Sequence, residues 1–299
     1  MSEHTGGWII GLGEVLWDML PGGRQLGGAP ANFAYHAHAL GETAAVFSAV
    51  GRDELGWEIL DRLHRLGVGT ALIQVVPAAP TGTVDVELDA AGVPRFIIHS
   101  GVAWDRLRVT PGLLAAAGRA RALCFGSLAS REPLSRRAVC AALDAAPAAA
   151  LRIFDINLRQ HYYDAETVRT LVARTDLLKL NDEELPVLRG LLGLPGGDEE
   201  TVARRLVESF RLRGLALTRG VRGSLLLAGD RVSRHPGIKV SVVDTVGAGD
   251  AFTAAVVVGM LRGFDLERTH DLASRLAAFV CTQAGATPAI PEELVRLAV

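Results

Sequence analysis

The sequence predicts an α/β fold with a doubly wound, mainly parallel sheet between layers of helices. Short apolar runs recur along the chain, and most are followed by a segment with helical periodicity. Such runs are typical of strands that are buried on both faces, and their alternation with helices indicates βαβ units. We predict strands at 8–12, 44–49, 122–125, 151–156, 177–180 and 215–218, and helices at 30–40, 53–66, 134–145, 201–211, 248–261 and 266–283.

Composition and charge narrow the class of protein. The 299 residues are 49% hydrophobic and carry a net charge of −2, which favours a single domain over residues 1–299 and argues against binding of nucleic acid or an acidic membrane surface. The three cysteines lie far apart, so they indicate neither a disulfide framework nor a zinc site. Neither a bilayer-spanning stretch nor a signal-peptide pattern is found, and we therefore expect a cytoplasmic protein.

One region departs from the alternation of strands and helices. Residues 84–88 alternate with period two, 90–92 indicate a turn, and 95–99 form a second short strand. Since a hairpin cannot join a parallel sheet through a short connection, we expect this one to extend outward from the fold. The alternative is an antiparallel extension of the main sheet.

The segment from Asp244 to Ala255, DTVGAGDAFTAA, carries the strongest functional signal. Gly247, Ala248 and Gly249 allow a tight turn, and the apolar run behind them starts a helix whose first amides lack intrahelical partners. This combination predicts an anion site. An acid beside a phosphate would be repelled, so Asp250 needs another role, and abstraction of a proton from an attacking hydroxyl supplies one. An ordinary capped helix start is the alternative.

A second group of polar and glycine residues lies near the beginning of the chain. Asp18 follows the first predicted strand, at the edge where ligands bind in open α/β sheets, and its carboxylate can accept hydrogen bonds from two neighbouring hydroxyls. Gly27 and Gly28 give close access to the backbone, and Asn32 offers both a donor and acceptors. The group suits a polyol, with a turn role for Asp18 and a helix-cap role for Asn32 as the alternatives.

Two further strand ends carry candidate residues. Asp155, Asn157 and Arg159 alternate along a segment that we expect to be extended, so their side chains should point to one side. Because the chain has only two lysines, Arg159 is the candidate for stabilising phosphate charge; pairing with Asp155 is the alternative. Asn181 and Glu184, at a predicted helix start, can hold the waters of a magnesium ion or form a helix cap.

Two of these segments resemble the signatures of a known family. DTVGAGDAF at 244–252 is similar to the C-terminal signature of the PfkB family of ribokinase-like sugar kinases, and GGAPANFA at 27–34 is similar to its N-terminal one. The resemblance extends over the whole chain. It implies a ribokinase-like fold with a small β lid over the sugar, built from strands near 15–20 and 82–101, and Phe96 of this lid is the candidate cap over the sugar.

The resemblance also implies a nucleotide site and a cation site. Residues 218–223 resemble the family's T-x-G-x-x-G loop near ATP, and residues 181–184 its N-x-x-E motif, in which the acid holds Mg²⁺ through water. Residues 278–286 are similar to a segment beside the adenine and a bound potassium ion. By this resemblance, the nucleotide-binding residues are Asn181, Glu184, Thr218, Gly220, Gly223, Gly249 and Ser274, and the ligands of the monovalent cation are Asp244, Val246, Gln283 and Gly285.

The expected activity is ATP-dependent phosphorylation of a sugar hydroxymethyl group. Asp250 takes the proton, and the amides of Gly247 to Asp250 hold the developing phosphate charge. GEVLWDML, GGAPANFAYHAHALG and VAWD resemble the bacterial fructokinase branch, which implies fructose 6-phosphate rather than fructose 1-phosphate as the product. The alternatives are a kinase of 2-keto-3-deoxygluconate, with Arg95 as the candidate cation in the hairpin, a ribokinase, or a catalytically dead sugar-sensing protein. The expected partners are the sugar, ATP and a second copy that binds through the lid.

Overall fold

The computed structural model describes residues 7–20, 22–88 and 94–299. Strands β1 to β14 span Ile9–Leu12, Leu16–Leu20, Gly23–Gly27, Ala44–Phe47, Ala49–Gly51, Gln74–Val76, Gly82–Leu88, Pro94–Ile98, Ala122–Phe125, Leu151–Asp155, Leu177–Asn181, Gly214–Thr218, Ser224–Ala228 and Arg231–His235. Helices α1 to α10 span Ala29–Ala39, Glu54–Arg65, Pro111–Ala117, Pro133–Ala145, Ala165–Val172, Glu184–Leu192, Glu199–Phe210, Ala248–Leu261, Leu266–Cys281 and Glu292–Leu297. No helix within the described ranges is both long and apolar enough to cross a membrane.

Eight strands form the main sheet, in the order β14-β13-β12-β11-β10-β9-β1-β4. The strands from β4 to β12 in this order pair in parallel, and β13 and β14 add an antiparallel edge. The prediction of a mainly parallel, doubly wound α/β fold is confirmed. Order along the sheet reverses at β1, which lies between β4 and β9, and the carboxyl ends of the strands beside such a point form a crevice where ligands bind.

Helices cover both faces of the main sheet, and each face has its own apolar cluster. Helices α3 to α7 contribute to one cluster, and α1, α2, α8 and α9 contribute to the other. On β11, Leu178 and Leu180 belong to the first cluster and Leu177 belongs to the second. Lys179 has the same parity as Leu177, so its side chain lies on the face that α8 covers.

The hairpin of the sequence analysis belongs to a separate four-stranded sheet of order β3-β2-β7-β8, here called the small sheet. The alternative, an extension of the main sheet, is therefore wrong. The sequence does not predict strand β3, because its residues, GRQLG, have no period-two alternation of apolar residues. Leu16, Val84 and Ile98 of the small sheet pack with Trp104 in a third apolar cluster. The predicted turn at 90–92 lies outside the described residues.

The differences from the predicted elements have simple causes. Strand 44–49 is divided into β4 and β5 at Ser48. Helices α3, α5 and α10 were not predicted, since their 7, 8 and 6 residues contain too few turns to show a helical period. The helix predicted at 248–261 is α8, with the same bounds.

Candidate active site

A cavity of about 720 Å³ opens at the carboxyl ends of the central strands and is bounded on one side by the small sheet. It is lined by residues of both sheets, of the loops after β1 and β10, and of the first turn of α8. The fold therefore brings together side chains that are far apart in the sequence. The predicted site residues among its lining are Asp18, Gly28, Asn32, Phe96, Arg159, Asn181, Thr218, Val246, Gly247, Gly249 and Asp250.

Asp250 is buried in the first turn of α8, where its Oδ2 accepts a hydrogen bond from Nδ2 of Asn32 at 2.8 Å. Asn32 is the fourth residue of α1, which is capped by Gly28, so the helix-cap alternative for Asn32 is wrong. Burial raises the pKa of Asp250 to about 6, as does the charge of Asp155, against the opposing effects of Asn32 and Lys179. The carboxylate is thus ionised at neutral pH and is more basic than an exposed aspartate, as a general base requires.

The backbone before Asp250 forms a tight turn. Gly247 has a φ of 79°, and a Cβ atom on it would lie 2.7 Å from Ala286, so only glycine fits. Within the described residues, the amides of Gly249 and Asp250 donate to no carbonyl, which leaves them available to an anion. The prediction needs a correction at Ala248, because its amide donates to the carbonyl of Thr245 at 3.3 Å.

A buried ion pair lies under this turn. Nζ of Lys179 donates to Oδ1 of Asp155 at 2.9 Å, and each side chain is 5% exposed. The two residues are register partners on β10 and β11, and Oδ2 of Asp155 accepts a hydrogen bond from Thr253 of α8 at 2.9 Å. Burial lowers the pKa of Lys179, but the surrounding carboxylates outweigh this effect and raise it, so the lysine is charged.

Sequence reasoning missed Lys179, although a signal existed. It interrupts the apolar strand Leu177–Asn181, and a charged residue at such a position has a partner or a function. A Cβ atom on Gly249 would lie 2.9 Å from Nζ, so the lysine reaches the start of α8. Its charge therefore lies beside the free amides at the start of α8.

The segment after β10 is not extended as predicted. Asn157 has a φ of 42° and Gln160 a φ of 49°, and these left-handed positions break the alternation of side chains. Asp155 bonds to Lys179, so the alternative of an Arg159–Asp155 pair is also wrong. Nη2 of Arg159 donates to Oδ1 of Asn157 at 3.2 Å, and Arg159 lines the cavity on its exposed side.

Asp18 lies within β2 of the small sheet and not after a strand of the main sheet as predicted. Burial raises its pKa to about 6, Arg159 opposes this effect, and Asp244 adds to it. A Cβ atom on Gly27 would lie 2.4 Å from Oδ2 of Asp18, so Gly27 makes room for the carboxylate instead of lining the cavity. Gly28 lines the cavity, with a φ of 108°.

Glu14 is a further acid of the cavity that sequence reasoning missed. It is 4% exposed, and burial raises its pKa to about 7. Among the described atoms, Oε2 of Glu14, Oδ1 of Asn32 and Nδ2 of Asn157 are buried and have no hydrogen-bond partner. Native proteins seldom leave such atoms unpaired, so two acceptors and a donor at one cavity indicate a polar ligand.

Asn181 and Glu184 have the reciprocal geometry of a helix cap. The amide of Glu184 donates to Oδ1 of Asn181 at 2.8 Å, and the amide of Asn181 donates to Oε2 of Glu184 at 2.9 Å. The amide of Leu158 donates to Oε1 of Glu184 at 2.9 Å. Each carboxylate oxygen of Glu184 accepts one of these bonds and keeps a second lone pair, so the oxygen atoms of Asn181 and Glu184 still fit a hydrated Mg²⁺. That role remains a prediction.

Asp244 ties together the two segments of the predicted monovalent-cation site. Its Oδ1 accepts from the amide of Val246 and its Oδ2 from the amide of Gly285, both at 3.0 Å. In the described residues no group of three or more His, Cys, Asp or Glu side chains could hold a metal ion, so backbone carbonyls would have to complete the site. Nε2 of Gln283 donates to the hydroxyl of Thr282 at 2.9 Å.

Four predicted nucleotide-binding residues do not line the cavity: Glu184, whose contacts are given above, and Ser274, Gly223 and Gly220. Ser274 donates its hydroxyl to the carbonyl of His270 at 2.8 Å. A Cβ atom on Gly223 would lie 2.0 Å from the carbonyl of His235, so this glycine is required by the packing of the β13–β14 hairpin. Gly220 has a φ of 53° and open space around it. Their contact with a nucleotide remains a prediction.

The chain is similar in sequence and in fold to carbohydrate kinases. The sequence profile of the pfkB family carbohydrate kinases matches residues 22–293. Fructokinases of Escherichia coli and Klebsiella pneumoniae are 31% and 33% identical to it, each over 95% of this chain and 95% of the relative. A crystal structure of fructokinase with bound ATP from Xylella fastidiosa superimposes with a TM-score of 0.85 at 25% identity, over 97% of both chains. An uncharacterized sugar kinase from Pyrococcus horikoshii in complex with ATP gives 0.82 at 28% identity, over 97% of this chain and 100% of that chain.

Proposed function

Because the chain belongs to the pfkB family of carbohydrate kinases, which transfer phosphate from ATP to a sugar hydroxyl, we propose that it phosphorylates fructose to fructose 6-phosphate. The observation that supports this most is the position of the buried Asp250. It lies in one cavity between the free amides at the start of α8 and the polar side chains of Asp18 and Asn32. The small sheet contributes Leu16, Val84, Phe96 and Ile98 to the cavity, an apolar cover that suits a neutral sugar. Fructokinases among the relatives support the choice of ketose.

The geometry supports separate roles for the residues around the attacking hydroxyl. Asp250 accepts its proton, and Asn32 orients the carboxylate of Asp250 through the bond at 2.8 Å. The amides of Gly249 and Asp250, with Arg159, stabilise the charge that develops on the transferred phosphoryl group. Asp18 accepts hydrogen bonds from further sugar hydroxyls. Mg²⁺ bound to ATP would neutralise the negative charge of the phosphate oxygens, and Asn181 and Glu184 would hold its waters.

A substrate panel tests the proposal. One coupled ATP assay compares fructose, ribose and 2-keto-3-deoxygluconate, with and without potassium, and product analysis separates fructose 6-phosphate from fructose 1-phosphate. We expect the highest kcat/KM with fructose and a loss of activity without potassium. Preferential turnover of ribose or the keto acid would contradict the proposal. The keto acid would need a free cation for its carboxylate. Among the described cavity residues, the charged nitrogens belong to Arg159, which we assign to the phosphate, and to Lys179, which is paired with Asp155.

Asp18→Ala is expected to weaken use of the sugar much more than use of ATP. A charged hydrogen bond contributes about 1.5–3 kcal/mol, so the KM of fructose should rise by at least roughly 10-fold while the KM of ATP changes little. Steady-state kinetics with each substrate varied in turn measure both constants. Similar damage to both KM values, or a lower thermal midpoint, would instead assign Asp18 a structural role.

Phe96→Ala is expected to raise the KM of fructose and the ratio of ATP hydrolysis to sugar phosphorylation. Phe96 is 48% exposed yet lines the cavity, so its ring is placed to exclude water from the reacting phosphate once sugar binds. Trp57→Ala, at another half-exposed aromatic outside the cavity lining, is the matched control. If Phe96→Ala leaves the ratio of ATP hydrolysis to sugar phosphorylation unchanged, and amide exchange in β7 and β8 does not respond to fructose, the small sheet is a fixed wall and not a lid.

A further inference from the structure

The free edge of β8 is hydrogen-bonded to the loop that carries Arg159. β8 is the last strand of the small sheet, so one of its edges has no neighbouring strand among the residues that the structure describes. The carbonyls of Phe96 and Ile98, two residues apart, accept side-chain hydrogen bonds there. Nε2 of Gln160 donates to the carbonyl of Phe96 at 2.6 Å, and the hydroxyl of Tyr162 donates to that of Ile98 at 3.0 Å.

These two bonds join β8 to the residues that follow Arg159 in the chain. Gln160 follows Arg159 in the chain, and the amide of Tyr162 donates to the carbonyl of Arg159 at 3.0 Å. Phe96, whose carbonyl Gln160 holds, lines the same cavity as Arg159. A displacement of β8 away from the cavity must therefore break both bonds or pull the Arg159 backbone with it.

The loop itself is held from the main body of the protein. The guanidinium of Arg131 lies between the rings of Trp104 and Tyr162, 4.1 and 4.4 Å from their centroids. Arg131 also pairs with the buried Asp105 through two hydrogen bonds of 2.8 Å. The contact of the Tyr162 ring with Arg131 does not involve its hydroxyl, so removal of the hydroxyl leaves this contact in place. Arg131 also donates from Nη2 to the carbonyl of His99, directly after β8, at 2.6 Å, and this link remains as well.

The backbone of the loop depends on these contacts. Gln160 has a φ of 49°, a left-handed conformation that is costly for a residue with a Cβ atom. Such conformations persist where the surroundings determine them, and they concentrate at sites whose geometry matters. The bond to Phe96 is one such determinant, and it acts on the residue next to Arg159.

We propose that Gln160 and Tyr162 are positioning residues that couple the small sheet to Arg159, so that Arg159 is aligned with the phosphate only while β8 covers the sugar. Neither side chain needs to touch a substrate. Sugar binding under Phe96 and charge stabilisation by Arg159 then become one event, which restricts phosphate transfer to the covered state. The inference rests on the proposed function for its kinetic test but not for its structural one.

The test uses Tyr162→Phe, Gln160→Met and the double variant, with Tyr163→Phe at the neighbouring tyrosine as control. Each substitution removes the donor and keeps the size of the side chain. We expect the double variant to lower kcat with fructose by roughly 10-fold, as the loss of two hydrogen bonds predicts. Amide exchange across Pro94–Ile98 should become faster, while Tyr163→Phe changes none of these quantities.

A double-mutant cycle separates positioning from simple support of the fold. In an Arg159→Ala background, the double variant should lower kcat by less than about 2-fold, because the residue through which it acts is already absent. An equal loss in both backgrounds would overturn the proposal, as would unchanged exchange across β8. If the wild type does not phosphorylate fructose, the proposed function fails, and the exchange measurement on Tyr162→Phe and Gln160→Met still decides whether the loop holds β8.

Discussion

Asp250→Asn should lower kcat by roughly 10²- to 10⁴-fold and leave the KM of the sugar within a few-fold, since general-base catalysis contributes a factor of this size. The introduced amide has the shape of the carboxylate and can still accept the hydrogen bond from Asn32, so the cavity keeps its geometry. Steady-state and single-turnover kinetics with fructose measure the effect. Turnover near that of the wild type would show that another group takes the proton.

The same variant should be more stable than the wild type at neutral pH. The pKa of Asp250 is raised from its ordinary 3.8 to about 6 by burial, so the folded state favours the protonated carboxyl. The associated stabilisation is present below about pH 4 and is lost as the pH rises through about 6. The thermal midpoint of Asp250→Asn should therefore exceed that of the wild type at pH 7.5, and the difference should shrink towards pH 4. An increase that does not depend on pH would indicate altered packing.

Lys179→Met should destabilise the protein by about 3–5 kcal/mol, because it leaves the charge of Asp155 buried without its partner. Urea unfolding measures this free energy. Adding Asp155→Asn should recover most of the stability, since the neutral amide can still accept the hydrogen bond from Thr253. The double variant should remain slow, because the positive charge beside Gly249 is still missing.

Arg174→Met provides a matched control for the buried pair. Arg174 pairs with Asp144 at 2.9 Å, but the two side chains are 33% and 59% exposed, and solvent-accessible pairs contribute about 0–1 kcal/mol. A loss in Lys179→Met no larger than in Arg174→Met would contradict the role assigned to the buried pair. Recovery of activity together with stability in the double variant would show that Lys179 acts only through the fold.

The sequence was most informative where local chemistry determines structure. The glycines before Asp250 and the apolar run behind it predicted the bounds of α8 and the place of the acid, because turn and helix are both local. The extended segment through Asn157 was predicted incorrectly, since its left-handed φ depends on contacts with distant parts of the chain. The small sheet was predicted only in part, because β3 forms through its partner β2 and not through its own pattern.

The choice of Arg159 over a lysine shows where counting residues fails. The scarcity of lysine favours an arginine near phosphate, yet one of the two lysines lies buried below the start of α8. The pairing of Lys179 with Asp155 follows from the register of β10 and β11, which a single sequence does not contain. Glu14 was missed for a similar reason, because its burial arises from the packing around the cavity.

The bond between Asn32 and Asp250 spans 218 positions of the chain and has a consequence for protein synthesis. Domains begin to fold while translation continues, with earlier segments first. A nascent chain that has emerged only as far as β12 contains the strands of the parallel sheet together with Glu14 and Asp18, but it lacks both Asp250 and the amides of α8. On the proposed mechanism such an intermediate cannot yet transfer phosphate, and we expect activity only after α8, one of the last helices of the chain, has docked.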